Sequence, residues 1–241
     1  MSPAASSDEA ATESLLARSA EVRRWVAARH LAREESIQRA REATRAAANA
    51  IRAVHRGEFD DADSLIAEAH DALAAATDAL REQPDLLHAG FVHDAAKEVA
   101  EAVLSRAAVR GEVLPGHDEV GVDPTAWLHG LSETVGELRR ACLDRVRAGD
   151  HDSAESMLAQ MQEILSVLVT IDAPDGVTKG LRRSTDAARA ITERTRGDLT
   201  TAAGQRDLRE ALDAHRAVVE RLLEDDLGDS PRPTPGEQDE P

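Results

Sequence analysis

FVHDAAKEVAEAVLSR, residues 91–106, decides the fold. Val92, Ala95, Ala96, Val99 and Val103 recur at the three- and four-residue spacing of a helix stripe turned toward a core. Glu98 and Glu101 are three apart and therefore share one side of that helix, with Asp94 one turn earlier. Lys97 stands between Asp94 and Glu98 and neutralises only part of the acid. Carboxylates held on rigid backbone make a seat for a hard divalent cation such as Mg2+. The same residues equally suit a plain solvated helix face, where glutamate is ordinary.

Working outward, the composition agrees with helix throughout. The 241 residues contain two Trp, two Phe and no Tyr, and Ala, Leu, Glu and Arg dominate, so the β-branched and aromatic residues that build strands are scarce. The formal charge is −17, and only Lys97 and Lys179 among the 29 basic residues are lysines. Such an acid excess argues against indiscriminate nucleic-acid binding, because phosphate is repelled at long range, but it leaves room for a local basic surface. A single cysteine, Cys142, excludes an intramolecular disulfide and a multi-cysteine zinc site. No stretch approaches the roughly 20 apolar residues of a membrane span, and the N-terminus lacks the pattern of a signal peptide, so the expected location is the cytoplasm.

Along the chain, residues 1–8 read as a frayed, disordered end, 9–227 as a single helical domain, and 228–241 as a disordered acidic, Pro-rich tail. From Glu9 to His55 no proline or glycine interrupts, and Ile37, Ala40, Ala47, Ile51 and Val54 keep a helical rhythm that Thr44 fits through its methyl. Arg41, Arg45, Arg52 and Arg56 share a side next to that stripe. Asp60 or Asp61 can cap a second helix that closes before Pro84, and the opening stretch forms the third. Asp123 and Pro124 start a fourth helix whose seam is Leu128, Leu131, Val135, Leu138, Cys142 and Val146. Asp152 can cap a fifth, with Ala154, Met157, Leu158, Met161, Ile164, Leu165 and Leu168 as its core stripe and Glu163 off that stripe. A sixth runs from Pro174 to Gly197, and a seventh from Thr201 to Asp226. Seven helices on short loops make an all-α bundle.

This order of segments resembles the translin superfamily, in its archaeal translin/TRAX-like branch. The resemblance is carried by AIRAVHRGEF (50–59), KEVAEA (97–102), LPGHDEVGVD (114–123), LHGLSETVGELRR (128–140), DAPDGVTKGLRRSTD (172–186) and ITERTRGDLT (191–200). It implies a seven-helix bundle of the translin type assembling into a higher homo-oligomer, an octamer, that binds single-stranded RNA or DNA. The TRAX-like branch further implies a metal-dependent endoribonuclease with a Glu-x-x-Glu pair on the third helix and an Asp on the fifth. Glu98 and Glu101 match the pair. The third acid falls on Glu163, which departs from the family by one methylene.

Glu98, Glu101 and Glu163 are thus the expected catalytic residues and ligands of Mg2+ or Mn2+, with Asp94 and Glu137 as further candidates. A carboxylate-bound cation of this kind neutralises a scissile phosphate and activates water. Arg45, Arg52, Arg56, Arg182 and Arg183 are the expected nucleic-acid contacts, since guanidinium forks suit phosphate; salt bridges between helices or subunits are the competing use. Three functions follow: a Mg2+-dependent endoribonuclease on single-stranded RNA, a non-catalytic single-stranded RNA- or DNA-binding oligomer, and a helical scaffold with no nucleic-acid role.

Overall fold

The computed structural model describes residues 4–228, with side chains over 11–223; the expected disordered tail beyond Gly228 lies outside the described residues. The fold is all-α, with no strand among the described residues. The helices are α1 (Ala4–Arg56), α2 (Phe59–Asp78), α3 (Gly90–Arg110), α4 (His117–Val120), α5 (Pro124–Ala148), α6 (His151–Leu168), α7 (Asp175–Thr178) and α8 (Leu181–Gly228), with a 3-10 turn at Pro84–His88. No helix is long and apolar enough to cross a membrane. The chain divides into two compact units, Met1–Thr195 and Arg196–Pro241.

α1 stops at Gly57, whose φ of +77° is the left-handed conformation that ends a helix without a Cβ penalty. The chain turns there and α2 returns along α1, with Ser36 Oγ donating to the Ala76 carbonyl at 2.7 Å. The second half of α1 buries Ala40, Ala43, Ala46, Ala47, Ala50, Ile51, Ala53 and Val54, a wider band than one stripe, because α2 and α3 flank it together. Alanine lining lets these helices approach closely. α2 starts after Glu58, with Asp60 and Asp61 in its first turn, where they favour the helix dipole without acting as the cap.

α3 is the central element. Ala95, Ala96, Val99, Ala100, Ala102, Leu104, Ser105, Ala107 and Ala108 are buried, so it is covered on nearly every side except where Lys97, Glu98 and Glu101 emerge half-buried. α5 runs beside it in the same direction. His93 pairs with Asp123 near the start of both helices, and further along Gly130 meets Ala100, at the same offset of 30 residues. Asp123 caps α5 as expected, accepting from the amides of Thr125 and Ala126 at 3.0 and 3.1 Å. Buried His129 joins α5 to the start of α8, bonded to Ser184 Oγ at 3.1 Å and to the Thr178 carbonyl at 2.9 Å.

Several boundaries differ from the sequence reading: α1 begins at Ala4, inside the stretch expected to be frayed, of which residues 1–3 lie outside the described residues, and α2 ends at Asp78. Asp150, not Asp152, caps α6, accepting from Ser153 N at 3.2 Å. The segments expected on either side of Gly197 form one continuous α8, since glycine inside a helix costs only about 1 kcal/mol and does not by itself stop it. The actual break lies earlier, at Lys179 and Gly180, both with positive φ.

Candidate metal centre

The site grows from one close approach. A Cβ on Gly130 would fall 2.7 Å from Ala100 Cβ and 2.9 Å from the Glu101 backbone nitrogen, so α5 and α3 touch here at a distance only glycine allows. One turn after Gly130 on α5 comes Glu133, and α3 presents Glu98 and Glu101 toward it. Oxygens of Glu98, Glu101 and Glu133 all lie within 4.8 Å of one another, and each residue is half-buried.

Three carboxylates this close repel. Glu101 bears the strain: burial first, then the charges of Glu133, Glu98 and Glu137 and a hydrogen bond with Glu133, lift its pKa to about 8. Lys97 supplies the compensating charge. Its Nζ donates to Glu133 at 2.9 Å and lies 3.3 Å from a Glu98 oxygen. Burial works against the ammonium, but Glu133 and Glu98 outweigh it and hold its pKa above the usual lysine value.

Glu137 stands one turn beyond Glu133 and pairs with His55, whose side chain is buried at the end of α1. His55 thereby ties a third helix to the acidic face. Asp94 is exposed and stands outside the cluster.

Glu163 does not join the group. It is exposed on α6, on the side away from Met157, Met161, Ile164 and Leu168, and only its backbone carbonyl is engaged, accepting from Ser166 Oγ at 2.7 Å. A residue opposite the buried stripe of α6 cannot face α3. Glu133 supplies the third acid instead. The signal for it was present in GLSETVGE: a mid-helix glycine at 130 followed by acids at 133 and 137 places all three on one side of α5.

The donor set is all carboxylate oxygen, with an ammonium already standing as a cation against two of its three members. That is the chemistry a hard divalent ion such as Mg2+ or Mn2+ requires, and soft or tetrahedral metals would prefer nitrogen or sulfur.

The expected nucleic-acid contacts are all exposed but differ in their partners. Arg56 pairs with Glu58 and Arg182 with Asp172, while Arg52 donates to Asn49 Oδ1 at 2.6 Å. Arg183 is exposed at the start of α8. Arg45 lines an open groove with Arg33, Arg41, Thr44, Phe91 and Asp94. This groove ends one helical turn before Glu98. The sequence reading grouped Arg41 with the basic face of α1 without assigning it a contact; here it lies beside Arg45.

No protein-family model matches the chain. An uncharacterized protein of Methanocaldococcus jannaschii is 28% identical over 193 residues, spanning 78% of this chain and 84% of that protein. Among solved structures, AfC3PO in complex with duplex RNA is similar with a TM-score of 0.72 at 33% identity, over 78% of this chain and 98% of that one. The crystal structure of AfC3PO gives 0.70 at the same identity and coverage. Apo-NeC3PO, 17% identical, shares the fold with a TM-score of 0.65 over 84% of this chain and 98% of that one.

Proposed function

The chain belongs to the translin/C3PO family, and on that premise we propose that it binds RNA and is a divalent-metal-dependent endoribonuclease acting on single-stranded RNA. The observation that carries this reading is the half-buried triad of Glu98, Glu101 and Glu133, built where α3 and α5 touch. These three residues would hold Mg2+ or Mn2+. Such an ion, when bound, offsets phosphate charge and makes its water more acidic. Glu101 must give up its proton to serve as a ligand, so cation binding is favoured as pH rises toward about 8. Arg41 and Arg45 would hold the strand by its phosphates along the groove that ends at Asp94, one turn before Glu98. An RNA complex of a 33% identical relative supports RNA as the ligand class.

A second reading is a non-catalytic RNA- or DNA-binding oligomer. It is favoured by Lys97, which already satisfies two of the three carboxylates. Under either reading the protein is a homo-oligomer, an octamer by family resemblance. Exposed Leu15, Leu16, Trp25, Val26 and Leu31 on α1 supply apolar surface for such contacts. Light scattering on the purified protein measures the subunit count.

The deciding experiment incubates end-labelled single-stranded and duplex RNA with the protein and Mg2+ or Mn2+. Cleavage abolished by EDTA, by Glu101→Gln and by Glu133→Gln supports the nuclease. RNA retention without metal-dependent cleavage selects the second reading.

A further inference from the structure

We propose that Lys97 is a tethered counter-cation that occupies the carboxylate triad until a divalent ion displaces it, and so sets the metal affinity of the site. The inference rests on the triad being a divalent-cation site. Its ammonium reaches Glu133 at 2.9 Å and Glu98 at 3.3 Å, spanning both helices that form the cluster. Those are two of the three carboxylates an incoming ion would use. A cation and an ammonium cannot both take them, because two like charges within one half-buried cluster repel strongly.

The residue type fits this task. The chain uses arginine almost everywhere it needs a positive charge, and Lys97 is one of only two lysines. An ammonium is a compact point charge on a flexible stem, able to sit among carboxylates and swing away, whereas a planar guanidinium fork locks onto one carboxylate. Its position immediately before Glu98 in KEVAEA, on the helix that carries both acids, keeps it within reach after it leaves. A residue that merely braced the site would need no such mobility.

The scarcity of lysine makes the displacement observable in the unmodified sequence. Reductive 13C-methylation retains the charge and yields signals from only Lys97, Lys179 and the N-terminal amine. Titration with Mg2+ is expected to shift one lysine signal and leave the other in place, and Lys97→Arg identifies which one moves. In parallel, Mn2+ binding is measured by the loss of free-ion EPR signal for the wild type, Lys97→Gln and Glu101→Gln. Lys97→Gln is expected to bind Mn2+ at least about tenfold more tightly than the wild type, because it removes the competing charge. It is also expected to melt at a lower temperature in EDTA, with the loss recovered by Mn2+.

Weaker or unchanged Mn2+ affinity in Lys97→Gln, or lysine signals unmoved by Mg2+ at saturation, overturns the proposal and leaves Lys97 as a brace. Should Lys97→Gln not fold, the methyl signals of the wild-type side chain decide alone. Wild type and Lys97→Gln binding no more Mn2+ than Glu101→Gln would instead overturn the metal site itself, and the Lys97 proposal with it.

Discussion

Gly130 of α5 meets Glu101 of α3 so closely that an added Cβ would lie 2.9 Å from the Glu101 backbone nitrogen. Ala100 closes the other side, with its Cβ at 2.7 Å and its carbonyl carbon at 3.1 Å. Two of these three contacts are backbone, which cannot swing aside as a long side chain does. Gly130→Ala therefore pushes two helices apart. Alanine gains about 1 kcal/mol of helix propensity, but overpacking costs about 1–3 kcal/mol. The expected net result is a melting temperature lower by a few degrees, together with weaker Mn2+ binding from a spread triad. A variant as stable as the wild type with full metal binding would contradict this account of the site.

The acidic cluster gives the metal-free protein an unusual pH dependence. Glu101 keeps its proton up to about pH 8 in the folded state, whereas an unfolded chain releases it in the ordinary carboxylate range. Between those limits the native state binds more protons, so this group's contribution to stability is present at low pH and declines as pH rises toward 8. In EDTA the melting temperature is expected to fall from pH 5 to pH 8, and Glu101→Gln flattens that slope. Mg2+ or Mn2+ is expected to restore stability most at the alkaline end. Calorimetry across this range, with and without metal, checks both points.

The helical class and most core stripes were legible because they depend on local spacing. Met157, Met161 and Ile164 are buried on α6, and Leu131, Val135, Leu138 and Cys142 on α5, as their periodicity requires. Central α3 was only half legible. Ala95, Ala96 and Val99 of the expected stripe are buried while Val92 and Val103 are only partly so, because a helix packed on several sides has no single stripe, and Ala100, Leu104 and Ser105 are buried outside it. Within the site, Glu98 and Glu101 share one helix, so spacing alone paired them. The third acid comes from another helix, and local spacing says nothing about which helix that is. The clue was steric: a glycine in mid-helix where two backbones touch.

Exchanging the third acid tests that correction. Glu133→Gln removes a charge from the triad while leaving an oxygen that can still accept from Lys97, and it is expected to lower Mn2+ affinity by about tenfold or more. Glu163→Gln alters an exposed residue on the outer side of α6 and is expected to leave metal affinity within about twofold, with stability changed by no more than about 0.5 kcal/mol. The comparison requires only a binding isotherm. Loss of binding in Glu163→Gln, with Glu133→Gln unaffected, would reverse the assignment.

Arginines that differ in their partners should differ in their contribution to RNA binding. Arg56 and Arg182 already face Glu58 and Asp172, so RNA must compete with a carboxylate for each. Arg45 lies in the groove with Arg41 and Phe91, one turn before the acidic triad. A phosphate contact there releases counterions, and removing it lowers the slope of log affinity against log salt by about 0.7–0.9. Arg45→Ala and Arg41→Ala are each expected to weaken RNA binding several-fold and reduce that slope. Arg56→Ala is expected to change neither appreciably, since the guanidinium is already engaged by Glu58. Fluorescence anisotropy at several salt concentrations separates these outcomes. Equal losses from Arg45→Ala and Arg56→Ala would place the strand along the whole basic face of α1 instead of the groove that ends at Asp94.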